Sequence, residues 1–271
     1  MQYQHATAAA MLCCAMPAAA QDAAPRPVTI SGNVTLATDY RFRGVSQSDE
    51  GMAVQGGFTV THESGTYAGI WGSNLAGWGS FGGANTELDL FGGVKLPLGG
   101  GATLDAGLTW YMYPAGADKT DFAEPYVKLG TTLGPVSVLG GVAYAPEQEA
   151  LGNWSNTPQS KPGDRHDNLY LWSDASIGIP RTALTLKGHV GYSQGNPGLG
   201  PNGTSIAATG KYADWLLGAD YVLGPVTLGL AYVDTDIGKA KSAYLLPNFA
   251  RLKNGKSIAG ATMVFSVSAA F

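Results

Sequence analysis

Gly260-Ala261-Thr262-Met263-Val264-Phe265-Ser266-Val267-Ser268-Ala269-Ala270-Phe271 is the stretch on which the reading of this sequence turns. Ala261, Met263, Phe265, Val267, Ala269 and Phe271 fall on one row, while Thr262, Ser266 and Ser268 dominate the other. A period of two is the signature of a strand whose faces meet different surroundings. Taken alone, the segment fits either an edge strand of a soluble sandwich or a wall strand of a closed barrel. The rest of the chain has to decide between them.

Composition narrows the choice. Only 13% of the residues are Asp, Glu, Lys or Arg, about half the share in ordinary soluble domains. Gly (39) and Tyr (13) are abundant, which suits an apolar-faced sheet. The 16 bases and 20 acids leave a formal charge of −4 and form no basic run, so nucleic acid is not an expected partner. The run Ala8 to Ala20 ends in Ala18-Ala19-Ala20 before Gln21, is too short to span a bilayer, and reads as a secretory signal over 1–20. Both cysteines, Cys13 and Cys14, lie within it. A leader at 21–30 and a barrel at 31–271 complete the expected organisation. No other stretch approaches twenty continuous apolar residues, so membrane residence would require a closed barrel.

Along that barrel region the sequence divides into alternating segments of about ten residues, the length a tilted strand needs to cross a bilayer. The expected strands cover 31–43, 51–62, 66–76, 85–96, 102–113, 122–133, 136–145, 168–179, 183–194, 208–222, 225–235 and 259–271. Helical periodicity is not sustained anywhere. Short turns at Glu63-Ser64-Gly65, Pro97 to Gly101, Gly134-Pro135, Pro180-Arg181-Thr182 and Gly224-Pro225 alternate with longer polar links at 44–50, 77–84, 114–121, 146–167, 195–207 and 236–258. This asymmetry favours an all-β, antiparallel transmembrane meander barrel of about twelve strands, with short periplasmic turns and long external loops.

Each strand then has an expected lipid row, such as Val34, Leu36, Tyr40 and Phe42, or Leu104, Leu108 and Trp110. Aromatics near the loop-side ends (Tyr40, Phe42, Trp110, Tyr144, Tyr192 and Tyr232) have the distribution of an interfacial girdle. The opposite rows hold Asp39, Arg41, Arg43, Glu87, Asp89, Lys95, Asp105, Glu124, Lys128, Asp174, Lys187, Asp214 and Asp220. A base on the lipid side near the midplane would cost about 2–4 kcal/mol, so all thirteen are expected to point inward as pore-lining candidates. Two roles stay open for them. They pair across strands to fix register, or they select what passes. Twelve strands lie between the filled barrel of eight and the channel of sixteen, so diameter does not choose.

The string Thr38-Asp39-Tyr40-Arg41-Phe42-Arg43-Gly44-Val45-Ser46-Gln47-Ser48 is the most distinctive in the chain. It is followed by Ala53-Val54-Gln55-Gly56-Gly57-Phe58, by His62 to Gly69, and by Glu87-Leu88-Asp89-Leu90-Phe91-Gly92-Gly93. Together they resemble the TorF-type porins of proteobacteria, most densely over 31–113. The closing strand ending at Phe271 likewise resembles the segment that the outer-membrane assembly machinery reads. The resemblance implies an outer-membrane barrel, with porin as a class name, and brings no established substrate or catalytic residue. Alternating strands, inward charges and loop asymmetry point to a barrel in contact with lipid that passes small hydrophilic solutes or ions. The alternative is a plugged barrel with a structural or loop-mediated binding role. No cofactor or metal is expected.

Residues of His62, His166 and His189 stand in no recognised metal or catalytic spacing. Arg165-His166-Asp167-Asn168 at a loop rim raises an outer-membrane hydrolase, but no serine on a glycine-rich elbow accompanies it. The chain is therefore not expected to be an enzyme.

Overall fold

A computed structural model describes residues 27–76, 83–152, 161, 163–199 and 206–271. The expected signal peptide at 1–20 and residues 21–26 of the leader lie outside them. In chain order the strands are β1 (Val28–Ala37), β2 (Arg41–Phe42), β3 (Val45–Ser46), β4 (Ala53–His62), β5 (Thr66–Asn74), β6 (Thr86–Gly99) and β7 (Ala102–Met112). They continue as β8 (Phe122–Leu133), β9 (Val136–Gln148), β10 (His166–Gly178), β11 (Leu184–Gly195), β12 (Lys211–Leu223), β13 (Val226–Thr235) and β14 (Thr262–Ala270). A single α-helical turn, α1 (Lys239–Ser242), lies in the connection between β13 and β14.

β1 and β4–β14 form a closed, antiparallel barrel of twelve strands in which each pairs with its chain neighbours and β1 pairs with β14. At the seam Asn33 faces Ala270 and Ala37 faces Ser266. Gly32 and Phe271 extend it by exchanging backbone hydrogen bonds of 2.9 Å in both directions. The ladder explains why a barrel can tolerate so apolar an exterior: every strand finds partners on both sides and no edge is left. Tight turns follow from local chemistry. Gly134 (φ 61°) and Gly224 (φ 59°) supply the left-handed conformation before Pro135 and Pro225, which cannot extend a ladder.

The alternation is expressed as expected. Met263, Phe265, Val267 and Phe271 are exposed on the outer surface, together with Val34, Leu36, Leu90, Leu108, Trp110, Val142, Tyr144, Val190 and Tyr192. Val264 and Ser268 of β14 are buried on the inner side.

One expected strand is corrected. β1 stops at Ala37, whereas the alternation continues to residue 43. Residues 39–48 instead leave the wall and are buried inside the barrel, carrying the short hairpin β2–β3. Arg43, Asp49 and Glu50 adopt left-handed backbone (φ 48°, 56° and 54°), which no strand accommodates. Tyr40 and Phe42, expected on the lipid row, are buried at 0% and 4% exposure. The physical reason is that an inserted segment also has two faces. Its aromatic face packs on Trp71, Tyr111 and Phe122, and its charged face meets carboxylates and carbonyls. The other eleven expected strands agree with the observed ones to within three residues at each end.

Candidate functional site

The barrel interior is the candidate site, and its ten wall-borne charges are held by strands whose inward positions recur every two residues. Glu87, Asp89, Asp105, Glu124, Lys128, Asp174, Asp214 and Asp220 are all buried. Lys95 and Lys187 are partly exposed but their head groups stay inside, Lys95 at 5.1 Å from the Tyr67 ring centre and Lys187 against Asp220. The remaining three of the thirteen, Asp39, Arg41 and Arg43, are buried too, but on the inserted segment.

Towards the short-turn end, charges pair between neighbouring strands. Asp105 stands opposite Lys95 on β6 and Lys128 on β8, with Lys128 Nζ 3.2 Å from its carboxylate. Lys187 Nζ lies 2.7 Å from Asp220. His189 on β11 presents Nδ1 to Asp174 (2.6 Å) and Nε2 to Asp214 (3.1 Å), with the Tyr170 hydroxyl at 2.9 Å from Nε2. With both ring nitrogens committed to carboxylates, His189 has none left to activate a serine. His166 sits at the loop rim, 3.5 Å from Asp164.

Towards the long-loop end, the inserted segment occupies the lumen. Arg43 donates through Nη2 to both oxygens of Glu124 (2.7 and 2.6 Å) and through Nη1 to Asn168 (2.9 Å). Its guanidinium also lies over the Tyr170 ring, 4.0 Å from the centre. Both contacts to Glu124 come from one nitrogen, a charge-assisted pair in which the second nitrogen is left to Asn168. Arg41 donates from Nε to Asp39 (2.5 Å) and from Nη1 to the carbonyls of Gly44, Ile258 and Gly260. Asp39 accepts hydrogen bonds from Ser46 (2.6 Å) and Ser48 (3.0 Å), which folds the segment on itself. Glu50 links Arg41 to Arg251 of the β13–β14 connection. Gly44 (φ 78°) passes so close to the wall that an added Cβ would lie 2.4 Å from Thr235 Cγ2.

Two apolar clusters pack the segment against this end of the wall. Tyr40, Phe42, Trp71, Tyr111, Tyr113 and Phe122 form one. Val45, Tyr212, Ile237, Leu245, Phe249 and Ile258 form the other, so the long β13–β14 connection also folds over the mouth. Below the segment lies a cavity of about 140 Å³, walled by Arg43 and Glu124 above and by Lys128, Trp172, Lys187 and His189 around it. Among the described residues no three His, Cys, Asp or Glu side chains converge as a metal group.

Sequence reasoning found the charges but missed their partners. Asn168, Tyr170 and Glu50 give no signal in one dimension, because their roles depend on a loop returning from far along the chain. The Arg43-Gly44 pair was the available hint, since glycine after a charged alternating run marks a break in the strand.

A sequence profile described as "Bacterial protein of unknown function (Gcw_chp)" matches residues 20–271. The chain belongs to the Gcw_chp family. This match carries the Gcw_chp family and does not carry the TorF-type name. No curated protein matches the chain in sequence. Among solved structures, the NanC porin superposes with a TM-score of 0.56 at 12% identity, covering 90% of this chain and 99% of that one. The KdgM porin gives 0.53 at 6% identity, covering 89% and 99%. At such identities the likeness shows the fold: this Gcw_chp chain has the barrel of outer-membrane porins.

Proposed function

We propose that this chain is a bacterial outer-membrane porin through which small hydrophilic solutes or ions diffuse, with residues 39–48 as its constriction. On this reading the short turns are periplasmic, the long connections are extracellular, and the apolar outer rows face lipid. Export by the segment at 1–20, recognition of the Phe271 strand by the assembly machinery, and kinship with TorF-type porins belong to the same proposal. The observation that carries it is the inserted segment itself. It crosses the lumen with ionic and polar contacts, Arg43 with Glu124 and Arg41 with backbone carbonyls, over a cavity walled by charges of both signs. Interleaved acids and bases favour weak ion selectivity.

The two apolar clusters at the mouth support a second reading, a barrel kept plugged for a structural or binding role. Planar-bilayer recording on refolded protein separates them. A porin gives reproducible steps in the unaltered chain. A plugged barrel gives none until residues 41–48 are replaced by a short glycine-serine link. Silence from both proteins, with the barrel folded by heat-modifiable gel mobility, rejects passage altogether.

A further inference from the structure

Glu87 and Asp89 occupy consecutive inward positions of β6 and are 1% and 2% exposed. Both oxygens of Glu87 and Oδ1 of Asp89 have no hydrogen-bond partner among the described residues. The Tyr40 hydroxyl, on the inserted segment and wholly buried, lies beside Glu87 without a well-shaped hydrogen bond and is unpartnered as well. Glu124 is close enough to act electrostatically on Asp89. The nearby guanidinium of Arg43 is committed to Glu124 and Asn168. Glu87 and Asp89 are thus two carboxyl groups in surplus over the one guanidinium nearby, beside the aromatic cluster.

Burying a carboxylate without a counter-charge is costly, and the cost is met by a partner, by retention of the carboxyl proton, or by a bound cation that displaces that proton. The donor set contains only oxygens, which suits hard cations and not zinc or copper. We infer that Glu87, Asp89 and Tyr40 form a binding site for one hard divalent cation of the calcium or magnesium class. Glu87 supplies two oxygens, Asp89 one and the Tyr40 hydroxyl a neutral fourth. The ion's charge matches the surplus, and its capture ties the inserted segment, through Tyr40, to the β6 wall. This site stands apart from passage through the lumen: it is present whether or not the barrel conducts.

Terbium, a luminescent stand-in for calcium, tests the site directly, because Tyr40, Tyr111 and Tyr113 surround it and would sensitise its emission. The full chain is refolded from metal-stripped denaturant with terbium, then titrated with calcium or magnesium. The expected result is emission saturating at one ion per chain and competed away by either metal. The isosteric double variant Glu87→Gln with Asp89→Asn, checked for folding by heat-modifiable mobility, should lose that emission. Tyr40→Phe should retain binding at reduced affinity. Absence of saturable emission from the folded unaltered chain overturns the site, and so does equal emission from the folded double variant. Should the double variant not fold, Asp89→Asn alone is measured, and unchanged affinity counts against the site.

Discussion

The two ends of the lumen are lined by the same residue types but differ in where the counter-charge comes from. At the short-turn end, Asp105 meets Lys95 and Lys128 on the strands beside it, and Lys187 meets Asp220 on the next strand. These pairs are complete within the wall. At the long-loop end, Glu124 is matched by Arg43 of the inserted segment, while Glu87 and Asp89 find no partner in the wall at all. One end is therefore electrostatically self-sufficient, and the other is finished only by what folds into it. Such a division lets the segment leave without disturbing the register of the sheet.

The largest effect should come from removing the segment. Replacing residues 41–48 with a short glycine-serine link is expected to leave a folded barrel and to raise single-channel conductance severalfold over the unaltered chain. A barrel that fails to fold would erase the contrast between the two ends. Next, Glu124→Ala strands the Arg43 charge in a buried site, a change that costs about 3–5 kcal/mol when one partner of such a pair is removed. The expected readout is a large gain in labelling at Val45→Cys by a maleimide, since Val45 is buried in the closed arrangement. Unchanged labelling would mean that the apolar clusters alone hold the segment.

A smaller effect is expected at Gly141, whose added Cβ would fall 2.3 Å from the Trp172 ring. Gly141→Ala should push that ring into the cavity and lower the thermal midpoint by an amount corresponding to about 1–3 kcal/mol, the usual cost of overpacking. The smallest change belongs to Lys128→Met. Its partner Asp105 retains Lys95 opposite, so folding should hold while reversal potentials in a salt gradient shift modestly towards cations. Loss of the folded barrel on this change would deny the self-sufficiency of the turn end.

How much of this was legible in one dimension depends on the element. The wall was legible because a period of two reports directly on a strand with dissimilar faces, as in Met263, Phe265 and Val267 against Val264 and Ser268. Turn positions followed from Gly134-Pro135 and Gly224-Pro225. The inserted segment was not legible, because Asp39-Tyr40-Arg41-Phe42-Arg43 carries the same alternation as a wall strand. Period reports that two faces differ, and not whether either meets lipid. Burial of Tyr40 and Phe42 is decided by Trp71, Tyr111 and Phe122 from other strands. The inward charges were found by the cost of placing them outside. Their pairing stayed open, both where a short turn sets the register, as for Lys95 with Asp105, and across the long reach from Arg43 to Glu124.

The seam between β1 and β14 has a mechanical consequence. It is held by five facing residue pairs, against ten between β1 and β4, so it is the shorter zip in the wall around β1. It also joins the two most distant strands of the sequence, so its formation carries the greatest loop-closure entropy and belongs at the end of folding. The Phe271 ring lies over Gly32, where an added Cβ would meet it at 2.5 Å. That aromatic clasp sits at the bottom of the zip, where an unzipping fork would have to start. A methyl group at position 32 would displace that ring and crowd the Gly57 carbonyl at 2.9 Å, so the zip would lose its clasp while its backbone pairs remain.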